Sequence, residues 1–164
     1  MTRLLALVLS LGLAGAAQAQ TCSPISQTVE FCPDVAPWAG VAPRPNPEYG
    51  GWTWANDEIE MQLLPLDYVE GEPSAERRIE LLEQFAVTTN GEMVEFAPGL
   101  GDAVPATTGV FFYPESGENV LALVTVYFIG GGTWALVTSE YAATLTDMQA
   151  DAHFSALDAL KEVP

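Results

Sequence analysis

"VYFIGGGTWALVTSE", residues 126–140, decides how this chain is read. Three glycines, Gly130 to Gly132, separate two apolar runs. A phosphate-binding loop needs a strand, a glycine-rich turn and then a helix, so that amide N–H groups and the helix dipole converge on the anion. Here the glycines are followed by "TWALVTSE", rich in β-branched and aromatic residues, which favours a strand. No lysine stands at the P-loop position, and no G-x-G-x-x-G occurs. The glycines therefore predict a tight hairpin link, where glycine accepts positive φ. A ligand loop and a flexible lid are the alternatives.

Upstream, "TTGVFFYPESGENVLALV" extends the pattern. Strands are predicted over 108–113, 120–129 and 133–140, with "PESGEN" as a turn. The middle strand is apolar on both of its faces for part of its length, as expected of a central strand. Met93, Val94 and Phe96 carry a short strand before a "PGLGD" turn. In "GWTWANDEIEMQLLPLD", Trp52 and Trp54 alternate, as do Ile59, Met61 and Leu63. That period of two predicts a hairpin with one apolar face, turning at "AND" and ending or reaching a sheet edge at Pro65.

Two segments read as helices. In "EGEPSAERRIELLEQFAVTT", Ser74 is a suitable N-cap with Glu76 in the first turn. Ala75, Ile79, Leu82 and Ala86, with Phe85 beside them, form one apolar stripe. In "TLTDMQADAHFSALDALKEV", Thr146 or Asp147 can cap, and Ala150, Phe154, Leu157 and Lys161 share a face widened by His153 and Leu160. The fold class is therefore α+β, a mainly antiparallel curved sheet with two helices packed on one face.

The chain begins "MTRLLALVLSLGLAGAAQAQ". Arg3, an apolar run and the small residues of "AQA" make residues 1–19 a signal peptide cut before Gln20. The alternatives are a buried N-terminal helix and a lipoprotein anchor at Cys22, for which Gln20 and Thr21 fit badly. No later run is long and apolar enough to span a bilayer as a helix. Export to a periplasmic or secreted location suits the two cysteines, Cys22 and Cys32, as a structural disulfide. Their spacing does not suit a redox pair. Residues 20–50 read as a Cys-tethered, Pro-rich segment, with five prolines between 33 and 50. Trp38 within it either docks on the domain or stands out as a recognition residue. Residues 51–164 read as a single α+β domain.

Charge is the dominant global property. The chain has 22 acidic residues against five basic ones, one of them in the signal peptide. Nucleic acid and anionic membranes are poor partners for such a surface. A cationic protein, divalent cations or plain solubility are the readings left open.

The chemical candidates are few. His153 is the only histidine and sits beside an apolar stripe. No G-x-S-x-G elbow accompanies it, so a boundary histidine outweighs a catalytic base. No metal centre and no cofactor are expected, since one histidine and two bonded cysteines make a poor zinc set. Asp57, Glu58 and Glu60 cluster at a turn or strand start and are candidates for a weak cation site, though they lack a calcium-loop pattern. Trp52, Trp54, Tyr127 and Trp134 are binding-face candidates if the helices leave their side of the sheet open. Cross-strand pairing is the structural alternative.

The runs "GEPSAERRIELLEQFAV", "GVFFYPESGENVLALVTVYFIGGGTWALVTSE" and "HFSALDALKEV" together resemble the small PsbP/Mog1/DcrB-like class. The resemblance spans about residues 50–163 and is one of element order, with a twisted hairpin leading to a final helix that has Phe154 near its start. It implies a sheet with helices packed against it, and binding or assembly roles more than catalysis. No functional residue carries over from it. The expected function is an exported, non-enzymatic binding or accessory protein in the cell envelope, with a protein as partner, a positively charged surface foremost. The alternatives are an envelope hydrolase using a carboxylate pair and a small-ligand carrier.

Overall fold

A computed structural model describes residues 22–98, 106–115, 118–142 and 144–164. The expected signal peptide of residues 1–19 and most of the "PGLGD" turn lie outside the described residues, as do Ser116 and Gly117 of "PESGEN".

The three-glycine hairpin forms as expected. Strands β8 (Glu118–Ile129) and β9 (Gly132–Tyr141) pair antiparallel, and Ile129 faces Gly132 across a two-residue link. Gly130 and Gly131 have φ of 59° and 76°, the left-handed values that a two-residue hairpin of the primed type demands. The turn is clasped from the side. Gly130 N–H donates to Glu162 Oε1 at 2.8 Å, and Thr28 Oγ1 donates to the Gly130 carbonyl at 2.7 Å. A Cβ on Gly130 would sit 2.5 Å from Val29 Cγ2.

Around this hairpin the seven-stranded sheet runs β3-β4-β5-β9-β8-β7-β6, with every pair antiparallel. Its other members are β3 (Arg44–Pro45), β4 (Trp52–Ala55), β5 (Glu60–Pro65), β6 (Glu92–Pro98) and β7 (Ala106–Glu115). A second sheet of three short strands joins the two ends of the described chain: β1 (Ser23–Pro24), β2 (Val29–Phe31) and β10 (Leu160–Glu162). The Cys22–Cys32 disulfide closes the β1–β2 hairpin. In a loop this short it contributes about 2–3 kcal/mol by restricting the unfolded chain.

Helix α1 (Ala75–Thr89) starts where expected, with Ser74 Oγ accepting from Arg77 N–H at 3.2 Å. It ends on Asn90, which takes the left-handed conformation at φ 57°. Helix α2 (Asp147–Ala159) is capped by Thr146, whose Oγ1 accepts from Gln149 N–H at 3.1 Å.

The two helices lie on opposite faces of the sheet, which corrects the expectation of one face. Successive strand residues point to opposite sides. On β8, Ala122, Val124 and Val126 pack with Leu81, Leu82 and Ala86 of α1 and with Phe111 of β7. Thr125, between two of them, bonds His153 of α2. Both faces of β8 are therefore buried, which explains its nearly unbroken apolar sequence.

The stripe of α2 is also rotated from the expected one. Gln149, Ala152, His153, Ala156 and Ala159 are buried, while Phe154 and Leu157 flank the contact half-buried. Three alanines let the helix axis approach the sheet closely. Lys161 lies beyond the helix, in β10, paired with Glu30 of β2.

The α2 side carries the larger core. Ile25, Val29 and Phe31 of the small sheet and Trp38 of the Pro-rich segment join Trp54, Met61, Leu63, Leu136 and the α2 alanines in one cluster. Ile25, Val29, Phe31 and Trp38 thus tie the segment before residue 51 into this core. Trp38 is docked: it is fully buried, and its Nε1–H donates to the Ala152 carbonyl at 2.7 Å.

Candidate functional site

The binding-face candidates share one face, but that face is covered. Trp52 pairs with Leu63, Trp54 with Met61 and Tyr127 with Trp134, all on the α2 side. Trp54 is completely buried and its ring lies 4.8 Å from that of Phe31. Trp52 donates from Nε1 to the Ile25 carbonyl at 3.1 Å. Tyr127 and Trp134 are buried as well. Burial pushes the Tyr127 phenol up from its ordinary range, assisted by Glu162 and Asp158. The N-terminal segment and the small sheet cover these rings, and they act as core.

The exposed part of the sheet is on the other side. Helix α1 sits over β6, β7 and β8. Beyond it, the same face of β9, β5 and β4 carries Ser139, Tyr141, Glu60, Gln62, Thr53 and Ala55. These are polar or solvent-facing residues. Asn46 Nδ2 lies 3.3 Å from Thr53 Oγ1 and 3.4 Å from Gln62 Oε1, and Gln62 Nε2 donates to Glu60 Oε1 at 2.6 Å. The result is a hydrogen-bonded network from Asn46, just after β3, across β4 and β5.

At one end of this face lies a cleft of about 310 Å³, lined by Asp57, Glu58, Glu60, Glu140, Ser139 and Tyr141 among others. Its acidic lip is built by a local turn. Asn56 Oδ1 accepts from both Glu58 N–H and Ile59 N–H at 2.8 Å. That turn drives Ile59 into the core and leaves Asp57 and Glu58 in solvent. Glu140 borders it from the other side of the sheet, since its side chain alternates with those of Ser139 and Tyr141 onto the α2 face; it is 7% exposed and accepts from Thr146 Oγ1 at 2.8 Å, at the N-cap of α2. Tyr141 stands at the rim, 78% exposed.

The structure therefore brings Asp57, Glu58 and Glu60 into one cleft, as their sequence spacing suggests, and adds Glu140 and Tyr141. Strand pairing of β5 with β9 places Glu60 opposite Ser139, a long-range contact with no local sequence signal. The carboxylates do not converge as a chelate. Among the described residues the one acidic or thiol group of three within 4.8 Å is Cys22, Glu30 and Cys32, and its sulfurs are bonded to each other. The cleft suits an ammonium or guanidinium group, which needs spaced acceptors and gains from an aromatic face.

His153 has a different role. It is fully buried between α2 and the sheet, with Nε2 2.6 Å from Thr125 Oγ1 and Nδ1 3.0 Å from Thr138 Oγ1. Thr125 in turn lies 2.6 Å from Thr108 Oγ1. A neutral imidazole, donor at one nitrogen and acceptor at the other, completes this chain with one proton per link. Burial holds its pKa down to about 3. Gln149, one turn earlier, donates from Nε2 to the carbonyls of Leu121 and Thr138. These groups fasten α2 to the sheet and have no path to solvent.

No protein-family model and no curated protein matches this chain.

Proposed function

We propose that this is an exported binding or accessory protein of the cell envelope, and that it holds a cationic protein surface against the open half of its sheet. The observation that carries this reading is the uncovered face itself. Beyond α1, the face shared by β9, β5 and β4 ends in a cleft of spaced carboxylates with Tyr141 at its rim.

The wider surface supports it. The 22 acidic residues face five basic ones, and one of those, Arg3, belongs to the expected signal peptide. Arg78 is taken up structurally, with Nε donating to Thr107 Oγ1 and one terminal nitrogen donating to the Pro73 carbonyl. Such a field speeds encounter with a basic partner and repels nucleic acid. Export is supported by the disulfide. Among the described residues, no helix is long and apolar enough to cross a membrane. The buried, neutral His153 takes no part in the interaction.

Because the contact is charge-driven, association is expected to weaken steeply as salt rises. Affinity capture from an envelope extract with the exported chain as bait, at low and at high salt, measures this. The expected result is a partner band that is lost at high salt. A yield unchanged between the two conditions would sink the charge-driven reading.

A further inference from the structure

A second surface lies on the outer side of α1. Glu80, Glu83, Gln84 and Val87 recur at helical spacing on the side turned away from Leu81, Leu82 and Ala86. With Tyr68 from the preceding loop and the edge of Phe85 they line an open groove of about 630 Å³. Val87 is 83% exposed and Tyr68 65% exposed. The outward face of a surface helix is normally polar. A β-branched residue there also lowers helix propensity slightly, so Val87 contributes little to the helix itself.

The rim is acidic. Glu80 is paired to Arg77 at 2.8 Å, while Glu83 has no ion-pair partner among the described residues. A second copy of this chain is a poor occupant, since each copy carries a formal charge of −17. An anionic lipid surface is repelled for the same reason. We infer that the α1 groove docks an amphipathic segment of a partner protein, seating an aliphatic or aromatic side chain against Val87, Tyr68 and Phe85 while a lysine or arginine reaches Glu83. Seven residues line the groove, against about 20–30 on each side of a standard interface, so the contact is weak, about micromolar or above. It is separate from the acidic cleft and does not depend on it.

The test is an amide-resonance titration of the exported chain with a synthetic Leu/Lys amphipathic helix of roughly 14 residues, four turns long. Shifts are expected at residues 80–88 and at Tyr68. Val87→Glu and Glu83→Lys, both at exposed positions, are each expected to weaken binding about tenfold. Affinity unchanged from the native chain in both variants overturns the inference. Shifts gathered at Glu58, Glu60 and Tyr141 also overturn it, and leave the cleft reading standing. Concentration-dependent shifts at residues 80–88 without peptide would make the occupant a second copy, again against the inference.

Discussion

Replacing Trp38 with alanine is expected to cost about 3–5 kcal/mol of folding stability, the range for a large aromatic removed from a packed core. Three contributions add. The indole is fully buried within the cluster shared by the small sheet, α2 and strands β4, β5 and β9. Its Nε1–H is the donor to the Ala152 carbonyl. Its segment also covers the face that holds Trp54 and Trp134, so loosening it admits water to those rings. Urea unfolding reads the loss of stability. Acrylamide quenching of the remaining tryptophans below the transition reads the loosening of the cover. A cost below about 1 kcal/mol, the size of a surface substitution, would mean that Trp38 is not an anchor.

The second large effect is acid destabilisation through His153. The free imidazole titrates at 6.5, and burial lowers this to about 3 in the folded chain. Above 6.5 the group is neutral in both states and costs nothing. As pH falls below that value, the unfolded chain takes up a proton that the folded chain refuses. Stability then drops by up to about 1.4 kcal/mol per pH unit, until the folded pKa is reached. At about pH 5 the loss is about 2 kcal/mol. Comparison with a variant that lacks the imidazole isolates the histidine contribution. His153→Gln is expected to be less stable at neutral pH by about 1–3 kcal/mol, because Thr125 and Thr138 lose partners in a buried site. Its stability should also be nearly flat between about pH 7 and about pH 5. Equal pH slopes for the variant and the native chain would contradict a buried neutral imidazole.

Local signals in the sequence were sufficient for the longer elements but not for the two- and three-residue strands β1, β2, β3 and β10. The glycines at 130–132, the Ser74 cap and the period-two run through Ile59, Met61 and Leu63 each specify their structure from neighbouring residues alone. The sidedness of the fold was not legible. Residues 120–129 are apolar on both faces because both are buried, so their sequence does not tell which helix covers which side. Trp52, Trp54, Tyr127 and Trp134 share a face, which their alternation along the strands made legible, but not that it is covered. Covering that face takes Phe31 and Trp38, from a segment whose prolines obscure its packing role. One signal could have placed α2. Gln149 and His153 are polar residues four apart, next to Ala152 and Ala156, and Thr125 interrupts an apolar strand. Buried polar groups need partners, and these match one another.

The acidic lip was legible as a cluster, because Asp57, Glu58 and Glu60 are close in sequence. Its position was not. Whether those residues are an idle edge or the wall of a cleft depends on β9 pairing beside β5 and on α1 stopping short of both.

The central claim, that the open sheet face binds by charge, is tested most directly by reversing that charge. Asp57, Glu58 and Glu60 are all exposed, so Asp57→Lys, Glu58→Lys and Glu60→Lys can be combined with little effect on the core. The combined variant and the native chain are compared in the same low-salt envelope capture, after circular dichroism confirms equal folding. The account predicts that the partner band disappears with the reversed lip. A band of equal yield from both chains would contradict it.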